Sequence, residues 1–133
     1  MLTYNREAFV ARAIESVLCQ TLKDFEFIIV DNGSTDQSAT IAQAYEARDP
    51  RVHSFSIPKS SIGTGRNYGA ARSTGGFITF LDDDDWMEPD MLEFLLKLAK
   101  KHQAEISLCG SYKVVDGTVL PNCVFEEELV MEP

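Results

Sequence analysis

Apolar residues recur along this chain with two alternating periods. Val10, Ala13, Ile14, Val17 and Leu18 fall at helical spacing within residues 6–20. Asn5 stands where such a helix takes its N-cap. Phe25-Glu26-Phe27-Ile28-Ile29-Val30 then reads as a short, largely buried strand. The polar run Asp31-Asn32-Gly33-Ser34-Thr35-Asp36 follows, dense in turn and cap residues, and a helix is predicted over 37–47. Val52 to Ile57 reads as a second strand, and a glycine-containing helix is predicted over 65–74. Phe77 to Leu81 reads as a strand running into Asp82. Pro89 suits a first helical turn, ahead of an apolar face of Met91, Leu92, Leu95, Leu96 and Ala99. Glu105 to Val115 closes the pattern as a strand, and Asp116-Gly117 can turn it into a hairpin with Thr118 to Leu120. Strands alternating with helices predict an α/β domain around a mostly parallel sheet. Ligands of such sheets bind beyond the carboxyl ends of strands. The loops opened by Asp31 and Asp82 are both expected there.

The 133 residues suit one domain, taken as 1–133. The formal net charge of −9 disfavours nucleic acid and anionic membranes as partners and otherwise reads as solubility. No apolar run approaches the roughly 18 residues of a membrane span. The opening MLTYNREAF carries no basic region ahead of an apolar block, so no signal peptide is expected. A cytoplasmic protein is predicted, with peripheral attachment at the inner face of the membrane also compatible. Cys19, Cys109 and Cys123 show neither zinc nor redox spacing and read as structural thiols.

Three segments carry candidate chemistry. The run Asp82-Asp83-Asp84-Asp85 is unfavourable unless solvated or neutralised by a cation. Carboxylates at a strand end can hold Mg²⁺ or Mn²⁺ whose open positions take phosphate oxygens; a solvated acidic loop is the plain alternative. A calcium loop fails the count, because Trp86 and Met87 fall at positions 5 and 6, where a ligand and a glycine are required. In the second segment, Asp31 can accept from a nucleobase N–H or a ribose hydroxyl, Gly33 permits a sharp turn, and Ser34 or Thr35 can cap the next helix. A well-capped turn without a ligand is equally consistent. The third segment, Gly63 to Arg72, places small residues beside Arg66 and Arg72, which could reach phosphate. It also invites a dinucleotide-binding reading, with Asp82 near the distance expected for a ribose-binding acid. Residues 58–62 intervene between strand and glycines, against that fingerprint.

Together these segments resemble the family 2 glycosyltransferases, which have the GT-A fold. The resemblance is carried by Thr3 to Arg6, Ala13 to Leu18 with Gln20-Thr21, Phe25 to Asp36, Gly65-Arg66-Asn67 with Gly69, Gly76 to Trp86, and Glu88-Pro89-Asp90. Each motif is weak alone; their order and spacing are specific. The resemblance implies that Thr3 and Tyr4 line a nucleotide pocket and that Asp31 reads the base, usually uracil. It places Arg66 near the nucleotide, Asp82 and Asp83 near ribose and sugar, and Asp84 on the metal. Trp86 is expected to pack. A nucleoside-diphosphate sugar donor, UDP-sugar above all, and Mg²⁺ or Mn²⁺ are implied. So is transfer with inversion to a glycan, lipid-linked or protein acceptor in surface polysaccharide or glycan synthesis.

Two departures qualify it. Only Met1 and Leu2 precede Thr3, where the family has an aliphatic strand, so most of the first strand is expected to be lacking: either the start is trimmed, or rearrangement or a partner chain fills the gap. The family's catalytic base and acceptor region lie beyond the matched segment. Glu126 to Glu128 lack the context to be that base, so no catalytic residue is assigned. A homo-oligomer is compatible with the sequence. The competing readings are a catalytically incomplete nucleotide-binding module and an NAD-dependent oxidoreductase.

Overall fold

The computed structural model describes residues 1–125 and divides into two compact units, Met1–Asp90 and the chain from Met91 onward. Glu126 to Glu128 lie outside the described residues.

The first unit is built on a three-stranded parallel sheet, ordered β1 (Leu2–Thr3), β2 (Phe27–Asp31), β3 (Val52–Ser56). Leu2 pairs with Val30 and Thr3 with Asp31; Phe27 pairs with Val52 and Asp31 with Ser56. The aliphatic run of β2 is central because only there are both faces covered. On one face, α3 (Ile62–Ala70) brings Gly69 close to the side chains of Val30 and Ile28. By strand alternation Phe27 and Ile29 point the other way. There α2 (Ser38–Glu46) contacts β2 and β3, and α1 (Val10–Leu18) packs on α2. Val10, Ala13, Ile14, Ile29, Val30, Ala42 and Val52 form the buried centre.

Several expectations are corrected. Asn5 is not the N-cap of α1; that position falls to Phe9, and Asn5 takes a positive φ of 52°, which asparagine tolerates. Neither Ser34 nor Thr35 caps α2; its first amide, Ser38 N–H, donates to Asp36 Oδ1. Helix α3 starts at Ile62 rather than 65, because the Ser61 hydroxyl accepts from Thr64 N–H and fixes the start there. Gly63, Gly65 and Gly69 therefore lie inside a helix and form no strand-end phosphate loop. Gly65 serves packing: a Cβ there would run into the Leu2 side chain.

Residues 77–81 form no strand. Among the described residues the run ends in a single isolated bridge, parallel, from Asp82 to Leu2. Without a partner ladder a β-prone run has nothing to pair with, and Phe77, Ile78 and Phe80 are exposed.

In the second unit, α4 (Met91–His102) buries Ala99, while β4 (Ser111–Val115) and β5 (Thr118–Cys123) form an antiparallel hairpin. Asp116 and Gly117 both take positive φ, as a two-residue hairpin turn requires. The strand predicted from Glu105 begins only at Ser111, and its partner runs past Leu120 to Cys123. Among the described residues, no helix is long and apolar enough to cross a membrane.

The packing of α3 on β1 gives a paired test. Gly65→Val is expected to destabilise by about 1–3 kcal/mol through overpacking against Leu2. Gly63→Ala, whose added Cβ would touch little, should be neutral or stabilising by up to ~1 kcal/mol. Urea unfolding of both variants checks the contrast.

Candidate functional site

The ends of β1 and β2 lie side by side, so Thr3 and Asp31 are neighbours, and Asn32 N–H donates to the Thr3 carbonyl at 2.9 Å. Both side chains are buried, Thr3 at 1% and Asp31 at 3% exposure. The Thr3 hydroxyl is the one buried side-chain polar atom without a hydrogen-bond partner among the described residues. An unpaired buried hydroxyl carries a cost, since buried polar groups are ordinarily hydrogen-bonded. Asp31 faces the Ser34 amide, 3.3 Å from each carboxylate oxygen.

The loop after β2 is held from two sides. Asn5 Oδ1 accepts from Thr35 N–H at 2.8 Å, and Asn5 N–H donates to the Ser34 hydroxyl. Asp36 Oδ2 accepts from Glu7 N–H, while Glu7 Oε2 accepts from Gln37 N–H. On the other flank the Asn32 amide spans to Ser60, accepting from its N–H and hydroxyl and donating to its carbonyl. Gly33, at φ 76°, lets the Lys59 backbone come close; a Cβ there would stand 2.8 Å from Lys59 N. The Lys59 ammonium in turn lies over the ring of half-exposed Tyr4.

The acidic loop meets this edge from the opposite side of β1. Asp82 bridges to Leu2, and Asp83 Oδ2 accepts from Tyr4 N–H at 3.2 Å. Beyond the loop, Met87 N–H donates to the Ser16 hydroxyl, Gln20 Nε2 to the Glu88 carbonyl, and Thr21 N–H to the Pro89 carbonyl. The loop is thus pinned at both ends by β1 and by the end of α1. Thr3, Tyr4, Asp31, Asp82 and Asp83 are brought together along one sheet edge.

Cations from three segments face the four acids. Arg66 is ion-paired with Asp82. Arg6 Nε lies 3.8 Å from Asp83 Oδ1 and 3.8 Å from Asp84 Oδ2. Arg12 donates to the Asp84 carbonyl at 3.3 Å and stacks over Trp86, 4.4 Å from the ring centroid. Arg72, a candidate phosphate ligand by sequence, is instead engaged with the Tyr68 carbonyl and the Tyr68 and Phe55 rings. Arg6, Arg12 and Lys59 escaped the sequence reading, because no local spacing links them to residues so far along the chain. Among the described residues no three His, Cys, Asp or Glu side chains converge as a ready metal cage. The cysteines are all unpaired, and burial pushes the Cys109 thiol up, the reverse of an activated nucleophile.

Residues 1–122 match the family described as Glycosyl transferase family 2. The chain belongs to that family. This glycosyltransferase family 2 chain is 37% identical over 110 residues to the uncharacterized glycosyltransferase EpsJ of Bacillus subtilis, covering 83% of the chain and 32% of EpsJ. It is 39% identical over 109 residues to a chondroitin synthase of Escherichia coli, covering 82% of the chain and 16% of the synthase. Among solved structures it is similar to S. aureus TarS. The crystal structure of TarS 1–349 with UDP superposes with a TM-score of 0.77 at 24% identity, covering 95% of the chain and 38% of TarS 1–349. The same TarS fragment with UDP-GlcNAc gives a TM-score of 0.77 at 25% identity, covering 95% and 37%. The chain therefore spans a minor part of these relatives.

Asp85 yields a test of the electrostatics. Burial first, then the charges of Asp84 and Asp82, raise its pKa above 3.8. The folded state therefore holds this proton to higher pH than the unfolded chain, and stability from this group falls as pH rises through that window. Asp85→Asn should raise Tm at pH 7 in metal-free buffer, the gain fading as pH falls below about 4. Thermal melts across pH 3–7 measure it.

Proposed function

We propose that this chain is the donor-binding portion of an inverting glycosyltransferase. Its donor is a nucleoside-diphosphate sugar, with UDP-sugar favoured, and its acceptor is a hydroxyl in glycan or surface-polysaccharide synthesis. The observation that carries this reading is the position of Thr3-Tyr4 between two carboxylate loops. Thr3 pairs with Asp31 on one side, and Tyr4 N–H binds Asp83 on the other. A nucleotide laid across β1 would set its base against buried Asp31 and the Tyr4 ring. Its diphosphate would then fall toward Asp82 to Asp84, with Arg66 alongside. The UDP and UDP-GlcNAc complexes of TarS support this donor class, and the chondroitin synthase supports a polysaccharide product.

The donor set fits a divalent cation with an oxygen-rich, partly open shell. Oxygens of Asp83 and Asp84 already share one cationic group, the Arg6 guanidinium. Mg²⁺ or Mn²⁺ is typically held by one or two carboxylates plus phosphate oxygens, so a third protein carboxylate is not required. Asp84, with Asp83 beside it, would hold the ion, which supplies charge neutralisation for the departing diphosphate. The chain's own part is to orient: Asp31 fixes the base, Tyr4 the plane of the nucleoside, and Arg66 adds positive charge near the phosphates. Inversion requires single displacement at the anomeric carbon, with the acceptor proton taken by a base. No described residue is assigned that role, and binding without turnover is the outcome expected if the chain acts as a module.

Calorimetry of the chain with UDP, with and without Mn²⁺, tests the reading. Mn²⁺ should tighten UDP binding. Asp84→Asn should cost at least about tenfold, or ~1.4 kcal/mol, in the presence of metal, and Asp31→Ala a similar factor with or without it. Binding of NAD in preference to UDP would overturn the reading in favour of an oxidoreductase.

A further inference from the structure

Arg6 stands apart from the other cations of the site. Arg66 is committed to the Asp82 carboxylate, and Arg12 to the Asp84 carbonyl and the Trp86 ring. Among the described residues, only the Arg6 guanidinium is shared between two carboxylates, with its Nε 3.8 Å from each. Asp83 is oriented for this contact, because its other oxygen is held by Tyr4 N–H. The Arg6 backbone is fixed independently of its side chain. Its N–H donates to the buried Ser38 hydroxyl at 2.8 Å, and its carbonyl accepts from Phe9 and Val10 N–H at 2.9 Å. The side chain is 46% exposed and makes no hydrogen bond to either acid within the contact distance, so the pair is loose and water-screened.

Resting on the metal reading above, we infer that Arg6 is an intramolecular counter-ion that competes with the divalent cation for Asp83 and Asp84. A guanidinium and a metal ion cannot occupy the same space between two carboxylates. Metal entry would therefore displace Arg6 at a cost: the lost attraction to the two carboxylates, with repulsion from the incoming cation, would weaken binding of the metal alone. A diphosphate removes the cost, because its oxygens offer the displaced fork a partner of matching geometry. Arg6 thereby couples the two ligands: metal and nucleotide bind tightly together and the metal binds poorly by itself.

Mn²⁺ titration of the full chain, read as loss of the free-ion EPR signal without and with UDP, tests this. Arg6→Gln should bind Mn²⁺ alone roughly three- to tenfold more tightly than the unsubstituted chain. The factor by which UDP tightens Mn²⁺ should shrink correspondingly. Arg6→Lys, which keeps the charge, should restore both values toward the original. Thermal melts should show both variants folded, as the independent anchoring of the backbone requires. Unchanged or weaker Mn²⁺ binding by Arg6→Gln, or identical behaviour of the Gln and Lys variants, overturns the inference. Asp84→Asn separates the two levels: if it binds Mn²⁺ as well as the unsubstituted chain, the metal assignment itself falls and Arg6's role with it. If Asp84→Asn loses Mn²⁺ while Arg6→Gln gains nothing, only the competition is wrong.

Discussion

The parallel pairing of Thr3 with Asp31 is the contact on which the site depends. It joins a strand of two residues to the central strand of the sheet and sets the end of β1 level with the end of β2. From that one register, Thr3 is buried beside Asp31, and Tyr4 projects its amide toward Asp83. Slipping the pairing by one residue would reverse which side chains face the core. It would also carry Tyr4 away from the acidic loop. The backbone bonds Val30 N–H to Met1 carbonyl and Asn32 N–H to Thr3 carbonyl hold the register at both ends.

Around this pairing, polar side chains do what strands cannot. The loop after β2 has no ladder of its own, so Asn5 and Glu7 accept from its Thr35 and Gln37 amides, while its own Asn32 and Asp36 accept from the Ser60 and Glu7 amides of the flanking segments. Buried amides need partners, and side-chain acceptors from a neighbouring segment supply them while fixing the loop's path. Asn32 is fully buried with both its donor and its acceptor used. Tyr4 stands beside this rim, half-exposed, with the Lys59 ammonium over its ring.

The acidic loop is an electrostatic problem solved in two ways. Its ends are tied to β1 and to the last turn of α1 by uncharged hydrogen bonds, which keeps the four carboxylates in place despite mutual repulsion. Its charges are partly offset by arginines from the segment before α1, from α1 and from α3. The ion pairs of Arg6 and Arg66 involve arginine side chains 46% and 40% exposed and are individually weak.

Apolar patterning was enough for α1, β2 and β3, and the turn and cap residues before it for α2, because each is a local run that needs only a core to meet. The Asp116-Gly117 turn was equally legible, since positive φ at two successive positions is a property of those residues. The placement of Asp31 and Asp82 at strand-end loops followed from chain order. Residues 77–81 carry a β-prone pattern yet form no strand, because a strand is a relation between two segments and this run meets β1 only at the single Leu2 to Asp82 bridge. The start of α3 was decided by a single hydroxyl, Ser61, rather than by the glycines that drew the eye. Arg6 could not be found by spacing at all: it meets Asp83 and Asp84 only because β1 and the acidic loop converge in space, and no local pattern encodes an encounter between segments so distant in sequence.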